Sequence, residues 1–201
     1  MINYIYQLVS PQVFSIKYDD VKFGENLILR PCYMAICHAD QRYYRGLRDR
    51  KVLARKLPMA LIHECCGTVV YDPSGKFQAG QYVVPIPNVP PTESSEIYEN
   101  YATGSAFLSS GLDGFLREYV DIDSDRVVAI GNVSPKIAAI TEFISVAVHG
   151  VHRLKDIAHN KRDVVGIWGD GSLGFVVAAV LKKKMPESRI IVIGKDERKL
   201  S

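Results

Sequence analysis

The sequence predicts an α/β plus β chain: a mainly β domain of barrel type, then the opening of a parallel α/β sheet. Three observations lead there. Short apolar, β-branched runs separated by Gly, Pro, Asn and Asp fill residues 1 to about 130. Apolar residues change to helical spacing near Ser134-Pro135. Strand-like, helix-like and strand-like runs then follow one another from Asp163 to Ile193.

In order, Leu27-Ile28-Leu29, Thr68-Val69-Val70, Tyr82-Val83-Val84 and Arg126-Val127-Val128 have strand composition. Asp72-Pro73-Ser74-Gly75 and Pro87-Asn88-Val89-Pro90-Pro91 are turn signals between them. The polar stretch from Asn88 to Ser110 reads as a lobe or loop. From Lys136 to Leu154, Ile137, Ile140, Ile144, Val148 and Val151 recur at helical spacing, with Ser134 as N-cap and Pro135 at the first helical position. Asp163 to Trp168 reads as a strand, Leu173 to Lys184 as a helix and Arg189 to Ile193 as a second strand. The expected domains are residues 1–149 and 150–201. The sequence stops at Lys199-Leu200-Ser201 inside the next expected helix, where five or six strands would make a stable open sheet. The expectation is a fragment of a longer fold or a naturally shortened one.

Composition narrows the function classes. With 201 residues, 47% hydrophobic and 23% charged, the chain can bury a sizeable core. A net charge of +3 gives no support to a nucleic-acid or membrane-surface partner. The sequence contains no run of about 18 apolar residues and its start lacks the pattern of a signal peptide, so a cytoplasmic location is expected. The four cysteines, Cys32, Cys37, Cys65 and Cys66, read as thiols or metal ligands before disulfides.

Gly169-Asp170-Gly171-Ser172-Leu173-Gly174 fits G-x-G-x-x-G between an expected strand and an expected helix. The first glycine allows a tight turn, the second lets backbone approach a pyrophosphate, and the third lets helix pack on strand. The helix start, with Ser172 and Leu173, supplies amide donors and a positive dipole. NAD-binding loops usually place an acidic residue at the end of the second strand. Here that strand ends Val192-Ile193-Gly194-Lys195, and Lys195 or Arg198 could meet a 2′-phosphate. NADP is therefore favoured over NAD, while Asp196 keeps the NAD reading open.

Cys37-His38-Ala39-Asp40 and His63-Glu64 offer a thiolate, an imidazole and a carboxylate, and catalytic zinc takes three protein ligands with one open position. Taken singly, such a Cys or His is as readily a packed core residue. In order, Cys37-x-x-Asp40, His63-Glu64-x-x-Gly67, Gly80-x-x-Val83 and the glycine loop resemble the zinc-dependent medium-chain dehydrogenase/reductase superfamily. The resemblance implies a GroES-like β-barrel catalytic domain followed by a Rossmann domain, here incomplete. It implies one catalytic zinc held by Cys37, His63 and Glu142, with Glu64 beside the metal and able to exchange with water. Asp40 would orient the histidine ligand, and His38 would lie near the cofactor pyrophosphate. Glu142 within Thr141-Glu142-Phe143-Ile144-Ser145 is similar to the polyol dehydrogenase branch; alone, it would read as a helix-start carboxylate favoured by the dipole.

Three departures qualify the resemblance. No cysteine occurs between about 88 and 115, so no structural zinc is expected. Ile62 stands where relatives have glycine, and Ala39 where many carry a relaying hydroxyl. The proton relay would then pass through Glu64, water or the substrate. His149 and His152 read as packed or surface residues, and Cys65 and Cys66 as small buried ones.

More closely, Tyr6-Gln7-Leu8-Val9-Ser10-Pro11, Ala39-Asp40-Gln41-Arg42-Tyr43-Tyr44-Arg45-Gly46, Lys56 to Glu64 and Ser109 to Phe115 are similar to the ribulose-5-phosphate reductases. That resemblance implies reduction of ribulose 5-phosphate to ribitol 5-phosphate with NADPH for teichoic-acid or capsule polymers. A cytidylyltransferase would act next, and the full-length form would be a homo-oligomer. Arginine is the preferred phosphate partner, and Arg42 and Arg45 are the candidates nearest a zinc ligand in sequence. Another zinc polyol or alcohol dehydrogenase, and an inactive remnant of such an enzyme, are the competing readings.

Overall fold

Nine-residue and eight-residue strands open the chain. β1 (Ile2–Ser10) and β2 (Val13–Asp20) form an antiparallel hairpin that the sequence reading did not assign. β3 (Leu27–Ala35) leads into α1 (His38–Tyr44), and α2 (Arg50–Lys56) and β4 (Met59–Ala60) follow. β5 (Glu64–Tyr71), β6 (Tyr82–Pro85), β7 (Asn88–Val89), β8 (Ala106–Phe107), β9 (Val120–Ile122) and β10 (Val127–Ala129) complete the β part. α3 (Pro135–Ala138), α4 (Thr141–Ile157), β11 (Val164–Trp168), α5 (Ser172–Lys184), β12 (Arg189–Ile193) and α6 (Glu197–Leu200) finish the chain. The computed structural model describes residues 1–92, 96–157, 159 and 161–200. Part of the lobe expected at 88–110, residues 93–95, thus lies outside the described residues.

The chain divides into two compact units, Met1–Glu142 and Phe143–Ser201. The division expected at 149/150 lies further along the same helix, α4. In the first unit, antiparallel strands form a sheet in the order β10-β6-β5-β3-β9 and a second in the order β2-β1-β4. β1 also bonds the segment that leads into β9, through Tyr6 N to Leu116 O and Glu118 N to Tyr4 O. Between the two sheets lies one apolar core, including Leu8, Leu27, Leu29, Met59, Val83 and Phe115, all fully buried. Each such side chain contributes roughly 1.5–3 kcal/mol of burial free energy. All four strand runs read from the sequence lie in or overlap strands of the five-stranded sheet.

The helix expected over 136–154 is two helices. Ser134 is the N-cap and Pro135 the first helical residue of α3, as expected, but α3 ends at Ala138 and α4 starts at Thr141. The Thr141 hydroxyl donates to Ala138 O at 2.7 Å across the break. Ala138 and Ala139 pack against Cys66 and Val84 of the sheet. In the second unit, β11 and β12 pair in parallel from Val164↔Arg189 to Trp168↔Ile193, with α5 between them in sequence. Among the described residues, no helix is long and apolar enough to cross a membrane.

Candidate metal and cofactor sites

The first site follows from strand pairing. β3 and β5 run antiparallel, and Ala35 near the end of β3 faces Glu64 at the start of β5. Cys37 comes two residues after the end of β3, and His63 comes one before β5. Antiparallel pairing therefore carries a thiol and an imidazole from distant sequence positions to one end of the sheet. The short α3, packed on β5, delivers the first turn of α4, and with it Glu142.

The donor atoms of Cys37, Asp40 and His63 lie within 4.8 Å of one another, as do those of His63, Glu64 and Glu142. Cys37 caps α1, accepting from Ala39 N at 3.4 Å. Asp40, only 2% exposed, accepts from Cys37 N through Oδ2 at 3.0 Å. Its Oδ1 accepts from Ile62 N at 3.0 Å and from the Ser109 hydroxyl at 2.8 Å. His63 Nδ1 lies 3.9 Å from the same Oδ1, beyond hydrogen-bond range. The Phe107 ring packs edge-on against the His63 imidazole, with 5.4 Å between centroids.

Burial and mutual repulsion shift the ionisable groups gathered here. Burial raises the Glu64 carboxyl, helped by the Asp40 charge. Glu142 is pushed up to about 7 by burial and then by Glu64 and Asp40. Burial raises the Cys37 thiol, and the same three carboxylates add to that. His63 is lowered by burial, against the opposing pull of Asp40. Converging, desolvated acids disfavour their own ionisation, and a divalent cation reverses that penalty for all of them at once. The donor set of one sulfur, one imidazole nitrogen and carboxylate oxygens suits zinc with an open position.

Ile62 takes φ = +72°, a left-handed conformation in which a β-branched residue is an outlier. The backbone beside His63 thus keeps a conformation suited to the glycine of the related sequences, although this chain carries isoleucine. A strap spanning residues 107–116 holds the segment in place: Gly114, Phe115 and Leu116 donate main-chain bonds to Ala60, Ile62 and Leu61. Gly114 lies so close to the Leu61 and Ile62 carbonyls that a side chain there would overlap them.

The other candidates are more dispersed. His38 is exposed at the start of α1. Arg42 and Arg45 are exposed at its far end, with Arg42 Nη2 donating to Leu47 O at 3.2 Å. At ~1.5 Å per residue they lie roughly 7 and 12 Å along the helix from Cys37. A largely apolar cleft of about 550 Å³, lined by Phe14, Met34, Ile36, Tyr44 and Leu61, reaches Asp40 from the side of the hairpin. It was not read from the sequence.

In the second unit, Gly169 adopts φ = +137° and donates to Ile193 O at 2.8 Å, making the tight turn. Gly171 is the N-cap of α5, with no side-chain cap on the amides of Ser172 and Leu173. A Cβ at Gly174 would overlap the Gly169 carbonyl. Lys195 is exposed after β12, beside an open groove of about 620 Å³ that Asp196, Arg198 and Lys199 also line. Asp170, to which the sequence reading gave no role, accepts from Lys195 N at 2.7 Å and Asp196 N at 2.6 Å.

The alcohol dehydrogenase GroES-like domain family matches residues 24–132, more than half of the chain. The chain belongs to that family. It is 53% identical to a ribulose-5-phosphate reductase of Streptococcus pneumoniae, covering 100% of this chain and 59% of the relative. It is 46% identical to a ribulose-5-phosphate reductase of Bacillus spizizenii, with the same coverage. The crystal structure of Staphylococcus aureus TarJ in complex with NADPH superposes with a TM-score of 0.80 at 40% identity, covering 100% of this chain and 56% of that one. The chain thus spans about 59% of the length of the curated relatives it matches. As a GroES-like dehydrogenase domain followed by a βαβ unit, it has the fold class that the sequence predicted.

Proposed function

We propose that the chain is the metal-binding and initial cofactor-binding part of a reductase that converts ribulose 5-phosphate to ribitol 5-phosphate with NADPH. The observation that carries the reading is that two triads of possible metal donors, Cys37, Asp40 and His63 and then His63, Glu64 and Glu142, share His63 in a chain similar to named ribulose-5-phosphate reductases. Cys37, His63 and Glu142 would hold one zinc, with Glu64 as an exchanging fourth donor. Bound there, zinc supplies Lewis-acid polarisation of a carbonyl oxygen, and the nicotinamide supplies hydride.

The chain's own residues do the rest. Glu64, beside the metal, or a bound water returns a proton to the reduced oxygen, since Ala39 has no hydroxyl to relay one. Asp40 fixes the main chain that bears Cys37 and His63. Arg42 and Arg45 take the sugar phosphate, and His38 assists at the cofactor pyrophosphate. Gly169, Gly171 and Gly174 shape the turn, and the amides of Ser172 and Leu173 meet the pyrophosphate.

NADP is favoured because Lys195 and Arg198 border the groove after β12. The Asp196 carboxylate is engaged by Lys199 at 3.8 Å and Arg198 at 3.5 Å, which draws it away from a ribose hydroxyl. The Staphylococcus aureus relative carries NADPH. The product, a phosphomonoester, is the substrate class of a cytidylyltransferase. We also assign the full-length protein to a homo-oligomer and to the cytoplasm. The test is kcat/KM of the full-length protein on ribulose 5-phosphate against unphosphorylated ribulose, with NADPH and with NADH. A preference of at least tenfold for each phosphorylated partner is expected. Equal turnover of ribulose would point to a different polyol dehydrogenase.

A further inference from the structure

We propose that Ser109 is a positioning residue of the metal site, setting the arrangement of Cys37 and His63 through the Asp40 carboxylate. The inference rests on the metal reading above. Ser109 is 3% exposed and has φ = +62°, a conformation that glycine adopts without strain and serine does not. The backbone alone would be better served by glycine, so the hydroxyl is what the position requires. That hydroxyl donates to Asp40 Oδ1 at 2.8 Å, across 69 residues of sequence.

Asp40 has few places for another donor. Its Oδ2 takes the Cys37 amide, and its Oδ1 takes both the Ile62 amide and the Ser109 hydroxyl. The carboxylate therefore spans the segment before one proposed ligand and the segment bearing another. His63 Nδ1 stands 3.9 Å from Oδ1. Removing the hydroxyl leaves Asp40 held by main-chain amides alone, so the carboxylate turns more freely and the segments bearing Cys37 and His63 shift with it. Ser109 thus fixes the carboxylate that stands beside the His63 imidazole and orients it.

The test compares Ser109→Ala, Ser109→Gly and Ser109→Thr with the parent full-length protein, using Co²⁺ as a spectroscopic probe. The readouts are Co²⁺ affinity, the thiolate-to-metal absorption band and the melting temperature of the metal-free protein. Glycine relieves the backbone strain without restoring the hydroxyl, and threonine keeps the hydroxyl. The expected result is Co²⁺ affinity lower by about tenfold or more in the Ala and Gly variants, with a shifted absorption band. Threonine retains parent-like affinity and spectrum. If Ser109→Gly binds Co²⁺ within about twofold of the parent with an unchanged band, Ser109 has no positioning role. Affinities that follow melting temperature across the three variants would also overturn it. If the parent itself binds no Co²⁺, the metal reading fails and takes this inference with it.

Discussion

Glu142→Gln should do two opposite things, and the pair separates a metal ligand from a surface carboxylate. The Glu142 carboxyl is raised from 4.5 to about 7 by burial and by the charges of Glu64 and Asp40. A shift of that size corresponds to roughly 3 kcal/mol at full weight, and screening at this part-exposed group reduces it to about 1–2 kcal/mol. The folded state binds this proton more tightly than the unfolded one. The group therefore destabilises the metal-free protein progressively as pH rises from about 4.5 through about 7, with no further change above. Glutamine carries no charge at any of these values. The metal-free variant should melt higher than the parent at pH 8, by about 2–8 °C for a domain of this size, and the gap should narrow at pH 5. Zinc affinity should fall by about tenfold or more in the same variant, because a ligand is lost. Differential scanning calorimetry on metal-free protein and zinc titration provide both readings. A variant that melts lower at pH 8, or binds zinc as the parent does, would refute the reasoning.

Other perturbations give simpler outcomes. Gly174→Ala forces a Cβ into the Gly169 carbonyl, so NADPH affinity measured by fluorescence titration should drop by about tenfold or more, or about 1.4 kcal/mol. Asp170→Ala frees the amides of Lys195 and Asp196, and the ratio of kcat/KM for NADPH over NADH should fall severalfold. Glu99 pairs with Arg126 at 2.7 Å, and its carboxyl is held below the usual range by that bond. Its contribution, about 0.5–1 kcal/mol, is present at neutral pH and lost as pH falls through its folded value; Glu99→Gln should remove that acid-side loss in urea titrations. Phe115→Ala, at a fully buried position, should cost about 3–5 kcal/mol by the same method.

The strands of the larger sheet were legible because their apolar runs are short, β-branched and bounded by turn residues. The β1–β2 hairpin was legible too but went unassigned: Phe14, Ile16 and Tyr18 alternate with Ser15, Lys17 and Asp19 at the strand period, in a strand whose every residue proves exposed. The break between α3 and α4 is hidden because apolar spacing continues across Ala139 and Ile140 with no glycine or proline. Cys37 and His63 carry chemistry by residue type, whereas Glu142 was assigned by family resemblance alone. Ile62 was visible as a departure in sequence, and the structure gives it meaning through its positive φ. Ser109 and Asp170 act through bonds to residues far away in sequence, and no local pattern encodes such pairs.

The central claim is that one metal bound by Cys37, His63 and Glu142 supports NADPH-dependent reduction of ribulose 5-phosphate. The most direct measurement is metal content together with that reductase rate in the full-length protein, before and after chelation and after zinc return. The account predicts about one zinc per chain, loss of rate with the metal, and recovery on zinc addition. Full reductase activity in protein stripped of metal would contradict it.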